Sequence, residues 1–127
     1  MQNVFSSSKG KQVRIDPQRV LYMTGDANYC YLHLLDGSVL LMARTLKWYS
    51  QRWPHFLRVH KQVLVNPTYA RKFTLAPSLR LPSYLIMSNQ ARVPISRRRL
   101  SLVRHQLNDL PYTVVRREEL EVAELVG

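Results

Sequence analysis

The sequence has little cysteine, little glycine and little acid, and each shortage removes a class of function. One cysteine, Cys30, in 127 residues excludes an intramolecular disulfide framework and any multi-cysteine zinc or iron–sulfur site. The four glycines are scattered, and Ser8-Lys9-Gly10-Lys11 lacks the spacing of a nucleotide-binding loop. His33, His55, His60 and His105 show no metal-ligand spacing with one another or with Cys30, so no metal site and no cofactor are expected. The eight Asp and Glu are too few and too scattered for an acid–base pair. Cys30 could serve as a nucleophile on paper, but a lone cysteine in a strand is more often a small core hydrophobe. No catalytic residue is therefore assigned and the chain is read as a non-enzyme. No apolar run approaches the roughly 18 residues of a membrane span, and the polar start Met1-Gln2-Asn3-Val4-Phe5-Ser6 is not a secretory signal. A cytoplasmic protein without a membrane partner is the expectation.

Positive charge is abundant. Lys and Arg number 19, giving a net charge of +11 and a pI near 10.4. All 19 bases lie between Lys9 and Arg117, where the acids are only Asp16, Asp26, Asp36 and Asp109, so 19 less 4 leaves +15. Glu118, Glu119, Glu121 and Glu124 crowd the last ten residues. Such an imbalance is the usual footprint of a polyanion partner, set against a merely solvated basic surface. Hydrophobic residues make up 46% of the chain, enough for one folded domain of ordinary size.

The pattern along the chain is mostly that of strands. Residues 1–12 are polar and read as a flexible leader, with the folded domain over 13–110 and an extension with an acidic end over 111–127. Val20 to Thr24 reads as a buried strand and Gly25-Asp26-Ala27-Asn28 as a turn. Tyr29 to Leu35 and Ser38 to Ala43 flank Asp36-Gly37, which predicts a hairpin with a type I′ turn. Tyr29, Tyr31 and His33 then share one face, and Cys30, Leu32 and Leu34 the other. Thr45 caps a short helix that Pro54 stops. Further strands are expected at 56–60, 63–65, 71–76, 84–88 and 91–95. Ser96 reads as the N-cap of a helix whose apolar face is Leu100, Val103 and Leu107. The segment after Tyr112 reads as a strand followed by a short acidic helix, without a decision between the two.

Three segments combine polar donors with a rigid flank: Asp26-Ala27-Asn28-Tyr29, Arg58-Val59-His60-Lys61-Gln62 and Ser96-Arg97-Arg98-Arg99. Binding residues sit on such scaffold-held loops. Arg and Lys suit phosphates and guanine edges, and Asn and Gln suit adenine. Each segment has a plainer reading: Asn28 as a left-handed turn residue, His60 as a satisfied, partly buried histidine, the arginines as a solvated helix side. Together, in a span of +15, they favour a nucleic-acid surface. A basic RNA-binding or ribosome-associated protein is the alternative, with Tyr29 and Tyr31 stacking on unpaired bases. A module for an acidic protein partner is a third reading.

The same residues resemble the LytTR DNA-binding domain of bacterial response regulators. Leu21-Tyr22-Met23-Thr24-Gly25-Asp26-Ala27-Asn28-Tyr29-Cys30-Tyr31-Leu32-His33 is similar to the family's opening pattern. Phe56-Leu57-Arg58-Val59-His60-Lys61-Gln62-Val63-Leu64-Val65-Asn66 resembles its F-x-R-x-H-R-S-x-L-V-N string. Val93-Pro94-Ile95-Ser96-Arg97-Arg98-Arg99-Leu100 resembles its closing V-P-V-S-R-R-x-L. Lys61 and Gln62 stand where Arg and Ser are usual, and Thr24 where an acid is common.

The resemblance implies a mainly β fold, an elongated stack of small antiparallel sheets with short helices. It implies sequence-specific binding of double-stranded DNA in transcription regulation, with loops rather than a recognition helix in the major groove. Carried over, Asn28 and Tyr29 lie in a first contact loop, His60 and Lys61 in a second, and Arg97 in a third. Lys61 and Arg97 are assigned to base edges and flanking phosphates; Arg58, Arg98 and Arg99 are read as phosphate anchors or surface support. The expected partner is a promoter with paired repeats, bound by two copies. Regulators of this type also carry a phospho-receiver domain, so the chain is read either as an isolated domain or as a stand-alone regulator.

Overall fold

A computed structural model of the chain describes residues 3–6, 12–78 and 80–115. The acidic end falls outside them. Among the described residues are eleven strands and two α-helices: β1 (Asn3–Ser6), β2 (Gln12–Ile15), β3 (Val20–Asp26), β4 (Tyr29–Leu34), β5 (Val39–Met42), α1 (Leu46–Arg52), β6 (Leu57–His60), β7 (Val63–Val65), β8 (Ala70–Leu75), β9 (Ser83–Met87), β10 (Arg92–Ile95), α2 (Arg97–Gln106) and β11 (Tyr112–Val114). Two compact units contain them, divided after Tyr69.

The first unit holds a five-stranded antiparallel sheet, ordered β5-β4-β3-β7-β6, and the β1–β2 pair. Its core is Ile15, Val20, Met23, Cys30, Leu32, Met42, Leu64 and, from α1 and the turn beyond it, Leu46, Tyr49, Trp53 and Phe56. Cys30 and Leu32 are buried and Tyr29 and Tyr31 exposed, so β4 has the two faces its alternation predicts. Val20 and Met23 share the core despite an odd spacing because β3 bulges: Val20 pairs with Leu34, but Tyr22 with His33. Burial pushes the Cys30 thiol up to about 12, which makes it an inert hydrophobe.

The β4–β5 hairpin forms where Asp36-Gly37 places it, but its turn is one residue longer. His33 pairs with Val39, Leu34 N–H donates to Ser38 O at 2.9 Å, and Gly37 N–H donates to Leu34 O at 3.1 Å. Gly37 has φ +88° and Asp36 is not in the left-handed region, so this is a three-residue loop with a glycine bulge, not a type I′ turn. Asn3–Ser6, inside the stretch expected as a leader, pairs with Gln12–Ile15.

Asn66 ties this unit together. It is 2% exposed. Its Nδ2 donates to Val20 O at 3.0 Å and Pro17 O at 3.3 Å, and its Oδ1 accepts from Thr68 N–H at 3.1 Å. A buried amide bonded through both its nitrogen and its oxygen ties the Pro17–Val20 stretch to the turn after β7.

The second unit holds a four-stranded sheet ordered β10-β9-β8-β11, with α2 lying in sequence between β10 and β11. β8, β9 and β10 are antiparallel neighbours, but β11 lies parallel to β8, pairing Tyr112 with Phe73 and Val114 with Leu75. The sheet is therefore mixed, against the expectation of antiparallel sheets alone, and β11 belongs to it although the domain was expected to end at residue 110. Ser96 occupies the N-cap of α2 with an extended backbone, but its hydroxyl makes no cap hydrogen bond.

Candidate nucleic-acid interface

One end of the five-stranded sheet gathers two of the three loops singled out in the sequence. β3 pairs with β4 on one side and β7 on the other, so the turn after Asp26 and the turn after His60 emerge side by side. Gly25 N–H donates to Gln62 O at 2.9 Å across that boundary. A Cβ on Gly25 would stand 2.7 Å from Leu46 Cγ, so only glycine lets α1 pack this close to β3.

In the first loop the left-handed residue is Ala27, with φ 47°, and not Asn28. Asn28 is exposed beside it. Tyr29 is 37% exposed and its hydroxyl donates to Asp26 Oδ2 at 3.4 Å. The Asp26 carboxylate raises the Tyr29 hydroxyl above the ordinary tyrosine value.

The second loop is held from within. Arg58 Nε donates to His60 O at 3.2 Å and Arg58 Nη2 to Lys61 O at 2.5 Å. Gln62 N–H donates to His60 Nδ1 at 3.1 Å. An Nδ1 that accepts leaves the proton of neutral His60 on Nε2, which then offers a donor. With two carbonyls turned to Arg58, the loop leaves Lys61 exposed at its tip.

These pieces surround a cleft of about 260 Å³ lined by Gly25, Asp26, Ala27, Tyr29, Thr45, Leu46, Lys47, Arg58, Lys61 and Gln62. The structure thus brings Tyr29, Arg58 and Lys61 to one cleft, with Asn28 and His60 on the loops that form it. Gln62, from the second singled-out segment, lines it too, and so does Lys47, which was not among the expected site residues. A signal for Lys47 was present: it stands in the first turn of α1, whose cap Thr45 Oγ1 accepts from Trp48 N–H at 3.2 Å. Cations are disfavoured there by the helix dipole, which makes one placed there notable.

Arg97, Arg98 and Arg99 form the first turn of α2 in the second unit, again with no acid in that turn. Arg97 and Arg98 are exposed and Arg99 partly buried. Arg97 also lines a smaller cavity of about 190 Å³ with Ala76, Pro77, Ser78, Leu81, Ser83, Ile95 and Leu100. Among the described residues no group of three or more His, Cys, Asp or Glu could hold a metal ion, and no helix is long and apolar enough to cross a membrane.

The model of the LytTr DNA-binding domain matches residues 10–108. The chain belongs to the LytTr DNA-binding domain family. A solved structure, the LytTr DNA-binding domain of a protein described as a putative methyl-accepting/DNA response regulator from Bacillus cereus, shares the fold with a TM-score of 0.67. Identity to it is 20%, over 84% of this chain and 95% of that one. No curated protein matches the chain. The LytTr domain is a DNA-binding rather than a catalytic family, and its mostly-β architecture with two short helices is the one described above.

Proposed function

We propose that this LytTr domain reads specific sequences in double-stranded DNA, with loops in the major groove, as part of bacterial transcription regulation inside the cell. The observation that carries the reading is the cleft at the end of the five-stranded sheet, where Lys47, Lys61 and Arg58 surround exposed loop tips on a rigid base. A loop tip held by internal hydrogen bonds loses little entropy on binding, so its side chains can discriminate among bases. Lys61 and the Nε2 donor of His60 match the acceptors N7 and O6 of guanine; Asn28 matches adenine. Tyr29 supplies contact area, with its hydroxyl held by Asp26. Arg97, in the first turn of α2 rather than in a loop, reads bases, while Arg98 and Arg99 contact phosphates. Two copies occupy paired repeats in the target. The solved relative's description as a DNA response regulator supports the regulatory setting.

Selection of bound sequences from random duplex DNA tests this directly. An enriched motif, lost in Lys61→Ala and Arg97→Ala, is the expected result. Each substitution should cost about 1–3 kcal/mol on the selected site and much less on random DNA. No enrichment, or tighter binding to single strands at equal salt, would overturn the reading in favour of a base-stacking protein.

A further inference from the structure

A second group of cations lies on α1 and the bend that leads into it, apart from the contact loops. The guanidinium carbon of Arg44 stands 5.0 Å from the centre of the Trp48 ring, and that of Arg52 stands 5.1 Å from it. Arg52 lies one turn beyond Trp48 on α1, while Arg44 reaches the same ring from the bend just before the Thr45 cap. Trp48 is half-buried, and its ring meets the fully buried Tyr49 edge-on at 4.9 Å and 84°. The indole is thus a fixed platform, and both arginines on it are exposed. No acid occurs in the sequence between Asp36 and Asp109, so α1 and the strands that follow it bring no carboxylate to balance them. Attraction to a ring face, about 0.5–1 kcal/mol at exposed sites, orients a guanidinium without using up its N–H edges. Lys47, on the same helix, lines the loop cleft with Lys61 and joins the two regions.

We propose that Arg44 and Arg52, seated on Trp48, form a second anchor for the phosphodiester backbone of duplex DNA, outside the contact loops and blind to sequence. The proposal rests on the DNA-binding reading above. Two like charges held at one ring with no counter-charge in the neighbouring sequence make an anion the favoured occupant. The repeating phosphates of a duplex that already lies against Lys47 and Lys61 supply it. A guanidinium held by a ring also loses less freedom on meeting phosphate than a free lysine does.

The test uses the full chain on a selected duplex and on a random duplex of equal length, with salt varied. Arg44→Gln and Arg52→Gln should each weaken both DNAs by the same factor, about fivefold to tenfold near 0.1 M salt. Each should lower the slope of log affinity against log salt by about one, and the double variant by about two. Arg44→Lys and Arg52→Lys keep the charge and should keep most of the slope. A hydroxyl-radical footprint should shorten on one flank in the double variant. Unchanged slopes in the Gln variants, with wild-type protein still bound to the selected site, would overturn the anchor and leave the loop reading intact. Loss on the selected site alone would overturn it too, since that is the signature of base reading. Failure of the wild-type chain to bind any duplex would remove both.

Discussion

Arg58 aims its guanidinium at its own loop, donating to the carbonyls of His60 and Lys61. That geometry makes it a brace for the loop more than a phosphate anchor, a role the bare sequence could not separate from the other. Arg58→Gln should therefore reduce the preference for the selected site over random DNA by about tenfold or more while leaving the salt slope nearly unchanged; a slope lowered by about one would return it to the phosphate. Competitive binding isotherms at several salt concentrations decide the matter. His33 links stability to pH near neutrality. Its ring stacks on Tyr22 at 4.2 Å and 14°, its Nε2 lies 3.1 Å from Thr24 Oγ1, and burial holds its pKa below the ordinary 6.5. The unfolded chain then binds the proton more readily than the folded one, so stability is full above pH 6.5 and falls as pH drops from there toward the lowered folded value. Urea melts across that window should show the loss in the wild type and a flatter profile in His33→Phe. At this scale the sequence spoke clearly for Cys30, because period-two burial is a local signal. It was silent on Ala27, because nothing in its side chain marks a left-handed residue as Asn or Gly would.

Elements whose partners lie close in the chain were legible. The α1 boundaries followed from Thr45 and Pro54, and the β4–β5 hairpin from Asp36-Gly37. The identity of its turn was not, since a three-residue loop and a two-residue loop use the same Asp-Gly pair and differ only in where Leu35 is counted. The β3 bulge was also hidden, because one extra residue in a strand apolar on both faces leaves no break in the pattern. Asn66 stood in the sequence only as the last residue of a family string, yet it joins the Pro17–Val20 stretch to the turn after β7. Asn66→Ala removes a buried hydrogen bond to the Val20 carbonyl and two part-buried ones, to the Pro17 carbonyl and from the Thr68 N–H. The expected cost is about 2–3 kcal/mol, seen as a lower urea midpoint at unchanged m-value. A loss under about 0.5 kcal/mol would mean that water takes over those three groups.

For the whole molecule, charge is the leading feature. The span from Lys9 to Arg117 carries +15, and the first turn of each α-helix holds a cation where the helix dipole favours acids, Lys47 in α1 and Arg97, Arg98 and Arg99 in α2. A sequence that accepts such local costs at both helix starts is shaped by something outside the fold, and a polyanion fits. If about six phosphates are neutralised, affinity for duplex should fall roughly a thousandfold between about 50 and 200 mM salt. Titrations across that range measure this, and a nearly flat response would remove phosphate from the account. Overall charge and family strings made the nucleic-acid reading legible; the cleft itself was not, because Lys47 meets Lys61 only after α1 packs on β3.

β11 has a consequence for how this protein is made and cut. It completes the second sheet by lying parallel to β8, and it is formed by residues 112–114, beyond the stretch that matches the family. Until those residues leave the ribosome, β8 presents a bare row of amide and carbonyl groups along the part of the strand in which Phe73 and Leu75 are buried. Such a row recruits any extended chain nearby. A fragment trimmed to the family boundary at residue 108 keeps every proposed DNA-contacting side chain and yet carries that open margin for good. It should self-associate at concentrations where the 127-residue chain stays monomeric. Light scattering on the two proteins side by side would show whether these three residues act as the guard of the sheet.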